Sequence, residues 1–202
     1  DKPRGLPDAF KIGKKFIGKD NISLILGDNF FYGQSLSEKL KRASKLKKGA
    51  IIFSYPVKNP SRFGVVTVKG KKIVSLIEKP TNTNSNLAIT GLYFFDNSVV
   101  KKTLSLKNSK RNELEIIDLL KMYKKNNLLK TEALGRGAAW LDAGTIEDFN
   151  QTSLFVSAIE KRQGLKIACL EEIAFLNKWI NKNKLREAIS FYGNCDYSKY
   201  LR

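Results

Sequence analysis

Apolar and polar positions alternate along this chain with a period that changes several times, and each change marks an element. Leu6, Ala9, Phe10, Gly13, Phe16 and Ile17 recur at helical spacing and Gly18 closes the run, so residues 1–20 read as a loop and then a helix. Residues 22–26 are an apolar run with Ser23 its one polar member, which suits a strand buried on both faces in a parallel sheet. Ser35 and Glu38 have capping-box spacing. Leu36, Leu40, Ala43 and Leu46 then continue an amphipathic helix toward Gly49. This α-β-α opening is the mark of a parallel, helix-covered sheet.

From residue 50 the pattern turns to strands. Residues 50–57 form one, ended by the proline-containing loop 58–63. Residues 64–68 and 72–77 flank Lys69-Gly70-Lys71, a hairpin with glycine in its turn. Glu78-Lys79-Pro80 ends the second arm, and residues 87–95 are a further strand. Ile116, Leu119, Leu120 and Tyr123 share one face of a helix expected over 113–124, and 128–134 reads as a strand. Residues 138–141 lead into Asp142. Thr145 then caps a long helix to about Arg162, which Gly164 ends. Two more helices, over 170–180 and 182–191, make an α-rich tail.

Composition narrows the chemistry. With 202 residues, 42% hydrophobic and 28% charged, the chain has the make-up of a soluble globular protein with a real core. No run reaches the length of a membrane span and no secretory leader pattern appears, so no membrane association and a cytoplasmic location are expected. Cys169 and Cys195 lack CxxC spacing, so neither zinc nor a disulfide framework is indicated. The chain has no histidine, which removes Ser-His-Asp and Cys-His nucleophile systems. Carboxylate, Lys and Arg chemistry remains, suited to hard cations and phosphates. A net charge of +18 raises nucleic acid as a partner. The lysines are spread over nearly every polar stretch and no nucleic-acid-binding motif accompanies them, so no dedicated nucleic-acid role is expected.

Asp28 follows Gly27 at the end of an apolar run, where open α/β sheets meet their ligands. Asp142 recurs in a similar setting, with Gly144 two positions on. Held together at one sheet end, the two could ligate one Mg²⁺ while phosphate oxygens fill the remaining positions. Alternatively, each merely caps the loop or helix that follows. Glu78-Lys79 offers an acceptor and a cation for a sugar hydroxyl and a phosphate, or else a surface ion pair. Arg111 could present a fork to a phosphate, or could be a solvated loop residue.

Together, Leu26-Gly27-Asp28-Asn29-Phe30-Phe31-Tyr32-Gly33, Tyr55-Pro56-Val57-Lys58-Asn59-Pro60, Arg62-Phe63-Gly64-Val65-Val66, Glu78-Lys79-Pro80, Thr90-Gly91-Leu92-Tyr93, Glu113-Leu114-Glu115-Ile116 and Trp140-Leu141-Asp142 carry a resemblance. It continues through Arg162-Gln163-Gly164-Leu165-Lys166-Ile167-Ala168-Cys169 and Glu171-Glu172-Ile173-Ala174, in order over almost the whole chain. In these stretches the chain resembles the sugar-phosphate nucleotidylyltransferases, in the branch that joins a thymidine nucleotide to glucose 1-phosphate. The resemblance implies an α/β fold with a Rossmann-like mixed, mainly parallel sheet of the nucleotide-diphospho-sugar transferase type, truncated at the N-terminus. A β-meander insertion and a helical C-terminal part go with it. The expected division is a nucleotidyltransferase core over 1–163 and a helical extension over 164–202 packed on that core.

The implied reaction is dTTP plus glucose 1-phosphate giving dTDP-glucose and pyrophosphate, a first step of dTDP-rhamnose-type nucleotide-sugar and polysaccharide biosynthesis. By resemblance, Asp28 and Asp142 hold Mg²⁺, and Gly64, Glu78, Ile89 and Tyr93 surround the glucose. Lys79 and Arg111 bind the sugar's phosphate, while Gly5 and Leu6 lie along the base and nucleoside. Asp28, Lys79, Arg111 and Asp142 are the implied catalytic set, and a homo-oligomer, tetrameric in relatives, is implied too. Pro7-Asp8, Arg4, Phe63, Ala143 and Asn112 depart from the family's usual residues, and none of these changes removes an implied metal ligand. The family's opening strand, glycine-rich phosphate loop and following lysine have no counterpart here, so a truncated or split product with little activity alone is expected. The competing readings are a non-catalytic sugar-nucleotide-binding or regulatory subunit, and a nucleotidylyltransferase of other base specificity, such as uridylyl, cytidylyl or adenylyl.

Overall fold

The computed structural model describes residues 2–109 and 111–202. In chain order the first elements are α1 (Asp8–Ile12), α2 (Lys14–Ile17), β1 (Ile22–Ile25), β2 (Asn29–Gly33), α3 (Leu36–Ser44), β3 (Ala50–Pro56), β4 (Gly64–Lys69), β5 (Lys72–Glu78) and β6 (Leu87–Phe95). Then follow α4 (Ser98–Leu104), α5 (Ile116–Lys125), β7 (Leu129–Ala133), β8 (Ala138–Asp142), α6 (Ile146–Gln163), α7 (Leu170–Leu176), α8 (Lys182–Tyr192) and α9 (Asp196–Tyr200). The chain divides into two compact units, Asp1–Asp142 and Ala143–Arg202. No described helix is long and apolar enough to cross a membrane.

The first unit is built on a mixed sheet in the order β5-β4-β6-β3-β7, with β1 also paired to β6. Strand β6 lies at its centre and is buried along almost all its length. Its alternating side chains feed two cores, because successive residues of a strand point to opposite faces. Tyr93 and Phe95 pack with Phe10, Val99, Ile117, Leu120 and Tyr123 from α1, α4 and α5. Leu92 and Phe94 pack with Phe53, Ala43 of α3 and Trp140 of β8.

One edge of β6 is taken by β3 from Leu87 to Phe95. The other edge is shared: β4 pairs at Ala88, and β1 pairs from Leu92 to Phe95. Between those two pairings, at Ile89–Gly91, β1 and β4 diverge, and this opening is where the candidate site forms. Asp96, just past β6, ties the frame together. Its carboxylate accepts from the Gly49 amide at 2.5 Å, the Ser98 amide at 3.0 Å and the Tyr123 hydroxyl at 3.0 Å, and from the Ser98 hydroxyl. Burial works against ionisation of Asp96, and these donors outweigh it and hold the carboxyl below its ordinary range.

Several expectations need correction. The sheet is mixed, but only β3 and β7 run parallel among the described strands; β1, β3, β4 and β5 make antiparallel pairings. β1 is an edge strand, paired among the described strands with β6 alone, and one of its faces is open: Ser23 and Ile25 point outward, Ile25 58% exposed. Phe16, placed on the helix's apolar face by spacing, is 94% exposed, because Gly13 separates α1 from α2 and only Phe10 and Ile17 turn inward. Ser35 forms no capping box. Its backbone is left-handed, its side chain accepts no cap bond, and its carbonyl begins the helix by accepting from Lys39. That helix stops at Ser44, short of Gly49. The helix expected from 113 starts at Ile116, since Leu114 donates to the Arg4 carbonyl and the Glu113 carbonyl accepts from Ser109. Helix α4 and strand β2 carry too little periodicity to be read in advance. Thr145 and Gly164 do bound α6 as expected: Thr145 Oγ accepts from the Asp148 amide, and Gly164 takes a left-handed conformation.

Candidate functional site

β1 ends at Ile25, Leu26 donates one more ladder bond to Gly91, and the chain turns there as the Asn29 amide donates back to Leu26. Asp28 stands exposed on that turn. Asn29 begins β2, which pairs antiparallel with β8 as a separate two-stranded ribbon in which Asn29 lies opposite Asp142. This register, rather than a shared parallel sheet end, brings the two acidic residues together. The Asn29 carboxamide joins them. Its Nδ2 donates to Asp28 Oδ1 at 2.9 Å and to Asp142 Oδ1 at 3.4 Å. Its Oδ1 accepts from the Gly91 amide at 2.8 Å and from Trp140 Nε1 at 2.7 Å. Two N–H donors on one amide atom and two carboxylate acceptors on the other fix which is oxygen and which nitrogen.

Beside this cluster, in the gap between β1 and β4, lies a cavity of about 250 Å³. It is lined by Leu6, Gly64, Glu78, Lys79, Ile89 and Tyr93 together with Asn29, Trp140 and Asp142. Gly64 faces Glu78 across the β4–β5 hairpin. A Cβ there would lie 2.9 Å from Ile117 Cδ1 and 3.3 Å from Glu78 Oε2, so a larger residue would have to push both side chains and narrow the space. Lys79 has φ +40, a left-handed conformation rare for a side-chain-bearing residue, with its amide donating to Phe63 at 3.1 Å. Phe63 and Tyr55 pack edge-on against Trp140, with ring centroids 5.0 and 6.1 Å away, and steady the indole that holds Asn29.

Glu78 and Lys79 also line an adjoining groove of about 410 Å³ with Ser109, Arg111 and Glu115. Arg111 makes a two-pronged contact with Glu115, Nε to Oε1 at 3.2 Å and Nη2 to Oε2 at 2.8 Å. The same Nη2 lies 3.9 Å from Glu78. Burial pushes the Glu78 carboxyl above its ordinary range, Glu115 pushes the same way, and Lys79 and Arg111 pull against them. Tyr93 is buried in the same wall and its phenol is raised by that burial and by Glu78. An acceptor, two cations and two clustered carboxylates around a sugar-sized space form an arrangement suited to a phosphorylated polyol.

The structure thus brings together most of the residues anticipated from sequence. Leu6, Gly64, Glu78, Lys79, Ile89, Tyr93 and Asp142 line one cavity, Arg111 adjoins it, and Asp28 is bonded to Asn29 on its wall. Gly5 does not line it. It lies in a neighbouring groove with Arg4, Asp8 and Glu113, at φ +92, where a Cβ would come within 2.1 Å of the Leu114 carbonyl oxygen. Asn29, Trp140 and Glu115 were not anticipated as site residues. Asn29 adjoins Asp28 in sequence and nothing in local pattern separates it from a turn asparagine. A larger cavity of about 460 Å³ in the second unit, among Phe175, Leu185 and Ile189, lacks such a carboxylate pair.

Comparison with known proteins bears on the family. A family model described as nucleotidyl transferase matches residues 1–158. Over 200 residues the chain is 48% identical to the glucose-1-phosphate thymidylyltransferase of Neisseria meningitidis serogroup A, covering 98% of this chain and 69% of that protein. It is 43% identical over 202 residues to the enzyme of that name from Mycobacterium tuberculosis, covering the whole chain and 70% of that protein. A crystal structure from Bacillus anthracis, assigned as a glucose-1-phosphate thymidylyltransferase and solved with a sucrose, superposes with a TM-score of 0.69 at 33% identity, over 77% of this chain and 62% of that one. A UDP-glucose pyrophosphorylase in complex with UDP-glucose shares the fold at 23% identity, with a TM-score of 0.67 over 81% of this chain and 64% of that one. The ribbon, the cavity and these likenesses converge: the chain belongs to the nucleotidyl transferase family.

Proposed function

We propose that this chain acts as a glucose-1-phosphate thymidylyltransferase, joining dTTP and α-D-glucose 1-phosphate into dTDP-glucose with release of pyrophosphate. The observation that carries the reading is one cavity lined by Glu78, Lys79, Asn29 and Asp142, with Asp28 bonded to the same Asn29 carboxamide. Relatives of that name at 48% and 43% identity support the choice of nucleotide and sugar.

In this reading Glu78 accepts hydrogen bonds from glucose hydroxyls, and Gly64, Ile89 and Tyr93 shape the sugar's space. Lys79 and Arg111 hold the sugar's phosphate; Arg111 engages Glu115 through two of its nitrogens, which leaves further N–H groups of the fork for a phosphate oxygen. Leu6 offers apolar surface to the nucleoside, with the Gly5 backbone beside it. A phosphate oxygen of glucose 1-phosphate attacks the α-phosphorus of dTTP in line. The new P–O bond forms as the bond to the β-phosphate breaks, and pyrophosphate leaves with that electron pair. Positioning and charge neutralisation suffice for such a transfer, and no covalent enzyme intermediate is needed.

The donor set fits a divalent cation: two carboxylates reaching toward one amide nitrogen supply hard oxygens of the kind Mg²⁺ prefers, with positions left for phosphate oxygens and water. Asp28 and Asp142 would hold it, and when bound it supplies neutralisation of phosphate charge. A homo-oligomer belongs to the same reading, supported by exposed Ile146, Phe149, Leu154, Leu170, Trp179 and Phe191 in the second unit.

The experiment couples binding to turnover. In a Trp179→Phe background Trp140 is the only tryptophan and lines the cavity, so its fluorescence reports on occupancy. Titration with glucose 1-phosphate should give a saturable change, weakened by Glu78→Gln and by Lys79→Ala. Incubation with dTTP, glucose 1-phosphate and Mg²⁺ should release pyrophosphate and form dTDP-glucose. A flat titration together with no product overturns the proposal.

A further inference from the structure

We infer that Asn29 is a positioning residue whose carboxamide sets the spacing of Asp28 and Asp142, and through it the affinity of the pair for a divalent cation. The inference rests on the reading that these two carboxylates hold the metal. Its basis is how completely the carboxamide is used. Oδ1 is held by donors from two separate elements, the Gly91 amide of β6 and the Trp140 indole of β8. That orientation leaves the two N–H groups of Nδ2 facing outward, one toward Asp28 and one toward Asp142. Because the two carboxylate oxygens share one donor nitrogen, they lie no further apart than the sum of two hydrogen-bond lengths. Like charges that close repel, and a donor pair between them offsets the repulsion without adding a charge that a cation would have to displace.

The backbone around Asn29 is arranged to admit the carboxamide. Past Leu26 the β1 backbone turns away from β6, and Asn29 Oδ1 takes the Gly91 amide in place of a strand carbonyl. Gly91 makes the room, since a Cβ on it would lie 2.6 Å from Oδ1. The carboxylates are therefore referred to the central strand through one side chain, and outer partners of this kind govern how tightly a metal is held.

The test uses Mn²⁺ alone, with no nucleotide or sugar, titrated into the whole chain and followed by the loss of the free-ion signal in electron paramagnetic resonance. Asp28→Asn and Asp142→Asn should abolish binding, which checks the metal reading separately. Asn29→Ala should weaken Mn²⁺ binding by about 10–100-fold. The circular dichroism spectrum and urea-unfolding midpoint of the same variant separate a loss confined to the carboxylate pair from general damage to the fold. Trp140→Phe keeps a ring in the cavity but removes one of the two anchors on Oδ1, and should weaken Mn²⁺ binding by a smaller, several-fold factor. If Asp28→Asn binds Mn²⁺ as the parent does, the metal reading fails and the inference with it. If Asp28→Asn loses Mn²⁺ while folded Asn29→Ala keeps it within about twofold, the metal reading stands and the role given to Asn29 is wrong. Should Asn29→Ala fail to fold, Trp140→Phe decides: unchanged Mn²⁺ affinity overturns the inference.

Discussion

Gly91→Ala is the substitution that most directly probes the link between the central strand and the site. The backbone of Gly91 is not left-handed, so alanine meets no conformational penalty there and the whole effect is one of space. The new Cβ would lie 2.6 Å from Asn29 Oδ1, 2.7 Å from Asn29 Cγ and 2.8 Å from Leu26 Cδ1. The Leu26 contact is with the end of a flexible side chain, which rotates aside. Asn29 is held at both ends, by Trp140 on Oδ1 and by strand pairing with Asp142 in its backbone. To move from 2.6 Å to the 3.4 Å where ordinary contact begins, its carboxamide must withdraw by about 0.8 Å. That breaks the 2.8 Å bond from the Gly91 amide and leaves a strand donor unpaired. Overpacking costs about 1–3 kcal/mol and an orphaned donor a similar amount, so the expected loss is about 2–4 kcal/mol. Urea unfolding followed by Trp140 fluorescence in the Trp179→Phe background measures it for the first unit alone. Adding Leu26→Ala to Gly91→Ala should restore little. Full recovery in that double variant would place the clash on Leu26, and a loss below about 0.5 kcal/mol would show that Asn29 gives way freely; either result refutes the reasoning.

Glu78→Gln should remove an acidic limb from the pH dependence of glucose 1-phosphate affinity. The carboxyl is raised by burial, so the parent should lose its charged acceptor at a pH above the ordinary value of 4.5, and the difference between parent and variant isolates this from titration of the sugar's own phosphate. Asp96→Asn keeps the shape but sets an amide against the Gly49 N–H, and should cost about 3 kcal/mol in urea unfolding at neutral pH. Because the Asp96 carboxyl is held below its unfolded value of 3.8, its contribution is present above that value and is lost as pH falls through the lower folded one. The variant should therefore flatten the acid limb of the stability profile. Thr103 Oγ1 is buried with no hydrogen-bond partner among the described residues, so Thr103→Val, which matches its shape, should stabilise the protein by about 1 kcal/mol. A loss of stability there would show that the hydroxyl has a partner.

The sequence made the site's chemistry easier to read than its geometry. Runs of apolar residues bounded by glycine and proline located β3, β4, β5 and β6 closely, since strands buried on one or both faces leave a strong local pattern. Thr145 and Gly164 bounded α6 for the same reason: capping is a local interaction. Pairing partners are not local: an apolar run such as residues 22–26 looks alike in an inner parallel strand and in the antiparallel edge position that β1 takes. Asp28 and Asp142 were legible as strand-end carboxylates, but their meeting depends on β2 and β8, and Asn29–Gly33 has neither alternation nor β-branched residues to announce a strand. Asn29 itself could not be distinguished from a turn residue, since its four contacts come from residues both adjacent and remote. Arg111 shares a groove with Glu78 and Lys79, while its hold on Glu115 has no local signal, because Glu115 lies just ahead of α5 and not inside the helix expected from 113.

The ribbon of β2 and β8 joins positions 113 residues apart, and that separation has a consequence for how the protein is made. A chain emerging from the ribosome can assemble the β4–β5 hairpin early, while Asp28 and Asp142 cannot meet until residue 142 is free to return to residue 29. Affinity for Mn²⁺ during synthesis or refolding would therefore appear last, as a signal that the first unit has closed. The same ribbon makes the pair intolerant of slippage: an offset of a single position between its strands would turn Asp142 to the opposite side and leave Asp28 alone.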